Sequence, residues 1–373
     1  MSATTSSRTT SSRTTSSRTT SSRTTSSRTT SSRTTPGRTA AATASVLRRP
    51  RTLGTAWVVW RQHRTAAWIA LAVLAVLCAE LLWLRGAMTG YVAEHGLAVP
   101  CPAEDDCAVY TAAIDDFRLR YGDFLGYNTL LLEFLPLFAG MFVAGPVIAR
   151  ELESGTYKVA WTQSVSPPRW FAAKLGLPVA ALLVGASVLS AVFTWTWRSV
   201  GHLDHGLLVD GTLWYEAFDA LGPAPVAGVL FGAVLGALTG LLVKRTLPAM
   251  AVTAAACVLL YWPLTTVRPY LVDPVTTTRS ASSDYPPSLH GGDSWHYERG
   301  MTTPSGGRLP DAGCIESAGI SRCVTRHGAD GWYLDSHPPA HSQRLEWAQA
   351  GLVAAAAAAC AAGALWRVRR LCP

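Results

Sequence analysis

Residues with reactive side chains are plentiful in this chain, and their spacing excludes most of the chemistry they could perform. Eight cysteines could bind zinc or exchange thiols, yet no C-x-x-C or C-x-x-H pair occurs, the spacing that turns two ligands toward one ion. Among the nine histidines, the tightest pairs are His202 with His205 and His337 with His341. Pro338 and Pro339 stand between the latter two and preclude their display on one helical turn, so no metal site is expected. The G-x-S-x-G elbow that exposes a nucleophilic serine is missing, as is the H-E-x-x-H pattern of zinc peptidases. So is the G-x-x-x-x-G-K-[ST] loop that cradles nucleotide phosphates, so the chain is expected to bind no ATP and no cofactor of its own, and to be no enzyme.

The densest group of polar and aromatic residues with a recognisable order is ARELESGTYKVAWTQSVSPPRWFAAKL, starting at Ala149. Charges at Arg150 and Glu151 end an apolar run, and Gly155 allows a sharp backbone turn. Tyr157 to Ser164 can form a short surface helix. Pro167 and Pro168 stop it, because proline lacks a donor and restricts the residue before it. Arg169, Trp170 and Lys174 then suit a membrane interface. The chemistry of such a stretch is mechanical: it is a compact handle for another protein.

The elements that position this handle follow from composition. Hydrophobic residues make up 49% of the chain and charged ones only 15%, too few for a soluble surface, and the apolar excess is clustered. A run of about 20 apolar residues crosses a hydrocarbon core of roughly 30 Å. Spans are predicted over Thr65 to Leu84, Thr129 to Ala149, Leu175 to Trp197, Ala224 to Val243, Leu247 to Thr266 and Trp347 to Trp366. Leu53 to Arg64 reads either as an interfacial helix or as an extension of the first span. The expected fold is an all-α integral membrane protein of about six transmembrane helices. Residues 52–266 would hold the first five spans, 267–346 an outer loop, and 347–373 the last span and a basic tail.

Orientation follows from lysine and arginine near helix ends. Arg48, Arg49, Arg51, Arg61 and Arg64, then Arg150, Lys158, Arg169 and Lys174, then Lys244 and Arg245, then Arg367, Arg369 and Arg370 fall on one side. Both termini are therefore placed in the cytoplasm. Glu104, Asp105, Asp106, Asp115 and Asp116 fall on the other side, and Asp204, Asp210, Glu216 and Asp219 share their outer loop with one arginine, Arg198. The formal charge of +8 is mostly local, since seven arginines recur every fifth residue from Arg8 to Arg38. Without them the chain is close to neutral, which is no nucleic-acid footprint. In that tail, residues 1–51, Thr4 to Thr35 are T-T-S-S-R repeats with no apolar residue to offset ordering, and disorder is expected. A signal-peptide core is missing from the first thirty residues, so the first span is expected to act as its own membrane signal.

Topology gives the cysteines a meaning. Cys101, Cys107, Cys314 and Cys323 all fall in predicted outer segments, where disulfides persist. They can pair in three ways, of which Cys101 with Cys107 and Cys314 with Cys323 is the most local. The outer loop from Val267 to Glu346 is rich in Pro, Gly, Ser and Asp and carries weak strand-like patches only, so a small cap or a mobile loop is expected.

Within the spans, Gly228, Gly232, Gly236 and Gly240 recur at four-residue spacing and leave one helix stripe free of side chains. Either a seam with a second subunit or packing within one chain would use it. Pro136, Gly140, Gly145 and Pro146 interrupt the second span, as happens in a kinked structural helix or beside a cavity. Glu80 and Glu133 are the ionisable groups inside the predicted spans, both toward the outer ends, where an acid is less costly.

After the second span the sequence resembles the ABC-2 type permeases of ABC transporters, particularly actinobacterial ones. Glu153, Gly155 and Thr156 match an E-x-G-T-like signature, and AWTQSV (Ala160 to Val165) and Arg169 to Leu175 continue the pattern. The resemblance covers roughly Thr52 to Pro373, including helix number and the larger outer segment before the last span, but not the repeat tail. It implies a plasma-membrane, multi-pass permease of an ATP-driven exporter. Glu151, Glu153, Gly155, Thr156, Trp161 and Gln163 would form a loop gripped by a separate ATPase subunit, which would supply ATP and Mg. It also implies a second permease chain, identical or related, and a path lined by spans one, two and five. The alternative is a membrane sensor or anchor whose outer loop recognises a ligand and transports nothing.

Overall fold

The computed structural model describes residues 52–99, 101, 107–162, 166–201, 207–208, 213–280, 294–314 and 320–370. The expectations for the repeat tail, Glu104, Asp105, Asp106, Gln163, His202, His205, Asp204, Asp210 and Cys372 lie outside these residues.

Among the described residues, six helical segments are long and apolar enough to cross a membrane: Arg64–Glu94, Ala108–Ser154, Pro167–Gly201, Ala224–Val243, Thr246–Tyr270 and Pro339–Arg369. The first belongs to α1 (Thr52–Glu94), which runs unbroken, so Leu53 to Arg64 extends the first span. The second comprises α2 (Ala108–Phe138), a π-helical turn (Ala139–Ala144) and α3 (Gly145–Ser154). After α4 (Tyr157–Thr162) come α5 (Pro167–Gly201), α6 (Ala224–Val243) and α7 (Thr246–Val267); α9 (Ser342–Arg369) closes the bundle. Helix α6 is the most buried of the six and packs between α9 and the α2–α3 segment, while α1 pairs with α5. Trp68, Leu71, Val76, Leu259 and Trp262 face outward, as expected when the solvent is lipid and every backbone group is satisfied within its own helix.

Two helices outrun the predicted spans. Helix α1 continues to Glu94 and α2 begins at Ala108, some twenty residues before the predicted second span. Charges at Asp115, Asp116, Arg118, Arg120 and Asp123 end an apolar window without ending a helix, since opposite charges four apart support one. Arg120 Nε lies 2.8 Å from Asp116 Oδ2 in that register. The Tyr91 hydroxyl donates to Asp116 Oδ2 at 2.7 Å and its ring packs on His95, while a Cys101–Cys107 disulfide sits immediately before α2.

The segment before the last span is a folded cap with a four-stranded antiparallel sheet among the described residues, order β1-β4-β2-β3. The strands are β1 (Val275–Ser280), β2 (Trp295–Thr302), β3 (Arg308–Pro310) and β4 (Gly331–His337). This corrects the expectation of weak strand-like patches: β4 is buried at every position, so its sequence GWYLDSH shows no alternation. Met301, Val324 and Trp332 form the core of the cap with Cys314, which is bonded to Cys323 on α8 (Ile320–Arg326).

Candidate coupling site at the basic end of the bundle

Helix α3 ends because Gly155 adopts φ +72°, the left-handed conformation that reverses the chain at a helix C-terminus. A β-carbon there would meet nothing within 4 Å, so glycine is required by conformation and not by space. The turn passes directly into α4: Lys158 N donates to Gly155 O at 3.1 Å and Val159 N to Thr156 O at 3.2 Å.

Two carboxylates of the last turn of α3 point to different helices. Glu151 Oε1 accepts from Lys174 Nζ on α5 at 2.7 Å, and its Oε2 accepts from the Thr156 hydroxyl at 3.0 Å. Ser154 Oγ lies 3.0 Å from Thr156 Oγ1 and completes the turn. Glu153 Oε2 accepts from both the backbone N–H of Thr246, at 3.0 Å, and the Thr246 hydroxyl, at 2.7 Å. Thr246 is the first residue of α7, so a carboxylate 93 residues upstream satisfies one of the amides that open the helix and meets the positive end of its dipole.

Helix α4 is docked by aromatic rings. Trp161 packs edge-on against Tyr157, with centroids 4.7 Å apart, and against Trp170 at 6.2 Å. Tyr157 and Trp161 cover a core made by Ile148, Trp170, Ala237 and Leu241. The indole N–H groups of Trp161 and Trp170 are buried and find no acceptor among the described residues. The opposite face of α4 presents Lys158, Val159 and Thr162 to the outside, with Val159 61% exposed.

Of the residues singled out from the sequence, Glu151, Glu153, Gly155, Thr156 and Trp161 thus form one unit. The glycine stripe belongs elsewhere. A β-carbon at Gly228 would stand 2.7 Å from Pro136 Cγ; at Gly232 it would overlap the Pro136 carbonyl, at Gly236 the Gly140 carbonyl, and at Gly240 it would stand 2.8 Å from Gly145 O. The stripe is filled by the interrupted second span of the same chain. Backbone of the π turn lies on α6, where the Gly140 carbonyl reaches Gly236 with no side chain between the two helices at that point. These four cysteines, Cys101, Cys107, Cys314 and Cys323, pair at two separate places, one immediately before α2 and one inside the cap.

Several positions in these contacts carry no local signal. Lys174 and Thr246 become part of the turn only through the fold. At the opposite end, Arg268 Nε donates to Gln349 Oε1 at 2.8 Å and its terminal nitrogen to Asp219 Oδ2 at 2.5 Å, while Gln349 Nε2 donates to Asp219 Oδ1 at 2.5 Å. These three buried side chains tie the α7 terminus to α9 and to the loop before α6.

Residues 71–268 match the family model described as ABC-2 membrane transporter related. Neither a curated protein nor a solved structure matches the chain. The matched stretch runs from the first span through the fifth and includes the α3–α4 turn with both of its helix anchors. With more than half of its length matched, the chain belongs to the ABC-2 membrane transporter related family, as a permease-type transporter component that crosses the plasma membrane several times.

Proposed function

We propose that this chain is the permease subunit of an ATP-driven exporter, paired with a second permease chain and moved by a separate ATPase subunit that binds ATP and Mg. One observation carries the reading: the turn after the second span is tied at once to α5 through Glu151 and to α7 through Glu153. A push on α4 is thereby delivered to three spans together. Coupling of this kind needs a rigid element that both partners bias, and the docked α4 with its outward Lys158, Val159 and Thr162 is such an element. Energy must enter from outside, because the sequence has no phosphate-binding loop.

The test is association. The chain should co-purify with an ATPase carrying a phosphate-binding loop, and Gly155→Pro or deletion of residues 157–162 should abolish this without loss of membrane insertion. Association that survives both changes sinks the assignment of this turn. The folded, disulfide-bonded cap supports a second reading, a non-transporting sensor or anchor. Cap deletion separates the two, since a sensor loses all response while a permease keeps ATPase association.

A further inference from the structure

A cavity of about 850 Å³ lies between α2, α6, α7 and α9 in the half of the bundle nearer the cap. Small-molecule sites fall in the range of roughly 300–1,000 Å³. Its walls are apolar and partly aromatic, with Phe134, Leu137, Phe231, Leu352 and Val353 among them. Glu133 is the one acidic residue on the lining, and no basic residue lines it.

Glu133 makes no hydrogen bond and no ion pair among the described residues. The nearby cation is already engaged: Arg268 is bonded to Asp219 and to Gln349. Glu133 lies within electrostatic range of both Asp219 and Arg268, so the three ionised groups together carry one uncompensated negative charge. A carboxylate in apolar surroundings requires a proton or a counter-cation. Aromatic faces beside it favour an organic cation over a strongly hydrated inorganic one.

We propose that this cavity binds a lipophilic organic cation, with its charged centre at Glu133 and its apolar body against Phe134, Phe231 and Leu352. Such molecules partition into the bilayer and reach the site from the hydrocarbon. That they are the cargo rests on the permease reading above; their binding does not. A lipid acyl chain would fill the same volume but would have no use for the carboxylate.

The test uses the full chain in phosphatidylcholine nanodiscs, without ATPase or nucleotide, and two probes of the same shape and opposite charge, tetraphenylphosphonium and tetraphenylborate. Saturable binding of the cation and not the anion is expected. Glu133→Gln should weaken cation binding roughly tenfold to a hundredfold, Glu133→Asp should retain most of it, and Ala356→Trp should block it by filling the cavity. Unchanged melting temperature in Glu133→Gln excludes misfolding as the cause. Equal binding of both probes, or undiminished cation binding in Glu133→Gln, overturns the proposal and leaves the cavity to acyl chains. Cation binding that persists while ATP-driven export is absent would instead overturn the coupling assignment and leave this site standing.

Discussion

Glu153 and Thr246 are joined by two hydrogen bonds to a single carboxylate oxygen, at 3.0 and 2.7 Å, so the last turn of the second span holds the first residue of the fifth. The contact is exposed, and its removal should leave the fold intact. Glu153→Ala is expected to retain ATPase association while lowering ATP-driven transport by roughly threefold to tenfold, the range of a coupling mutation. Transport into inverted vesicles, with co-purification as the control, checks this. Equal loss of both would mean that Glu153 serves the docking surface and not the transmission.

The glycine stripe predicts an order of severity. Gly228→Ala meets the Pro136 ring, which can pucker away, and should cost about 1 kcal/mol. At Gly232 the obstacle is the Pro136 carbonyl, fixed by its helix, so Gly232→Ala should cost about 3 kcal/mol and Gly236→Leu more. Thermal unfolding in detergent, read with the monodisperse fraction, should rank the variants in that order. A stripe that serves only a second subunit would leave the melting of the single chain unmoved.

Arg268, Asp219 and Gln349 are buried together. Removing one partner strands the others, so Arg268→Ala or Asp219→Ala should destabilise by about 3–5 kcal/mol, whereas Arg268→Met combined with Asp219→Leu should cost less than either. A double-mutant cycle on unfolding midpoints measures the difference, and additive effects would show that the pair is not coupled.

The cap should loosen in acid. His337 Nε2 lies 2.9 Å from the Pro269 carbonyl, so that nitrogen carries the hydrogen, and His337 Nδ1 is left to accept from His341 Nδ1 at 3.2 Å. Burial holds the His337 imidazole below its ordinary 6.5, aided by His341 and opposed by the Pro269 carbonyl and Asp335. The folded state therefore binds fewer protons than the unfolded one, and its stability declines as pH falls from 6.5 toward the lower folded value. Protonation also sets two donors face to face. Hydrogen exchange around Pro269 and residues 337–341 should accelerate between neutral pH and about pH 5, and His337→Gln should flatten that response.

Hydropathy made the six spans legible because each needs its own apolar length whatever its neighbours do. The turn at Gly155 was legible too, since a left-handed residue is written in one letter. The helical extension from Ala108 was not: an apolar window cannot see a helix whose charges pair with each other, as Asp116 does with Arg120. Nor was the sheet, because β4 is buried on both faces and its polar ends, Asp335 and His337, are satisfied by Arg308, Thr276 and the Pro269 carbonyl from elsewhere in the chain.

What the sequence determined by itself was the membrane habit, the family signature and the place of the turn at Gly155, all of which depend on residues within one helix or one loop. Tertiary structure alone decided what those residues hold. The glycine stripe could have faced a second subunit, and the backbone of the interrupted second span occupies it. Glu133 could have been one more hydrated acid near the membrane surface. Arg268, the basic residue nearest to serving it, is bonded instead to Asp219 and Gln349. Contacts between residues so far apart in the chain are set by how helices pack, and a linear order carries no record of which acid Arg268 pairs with.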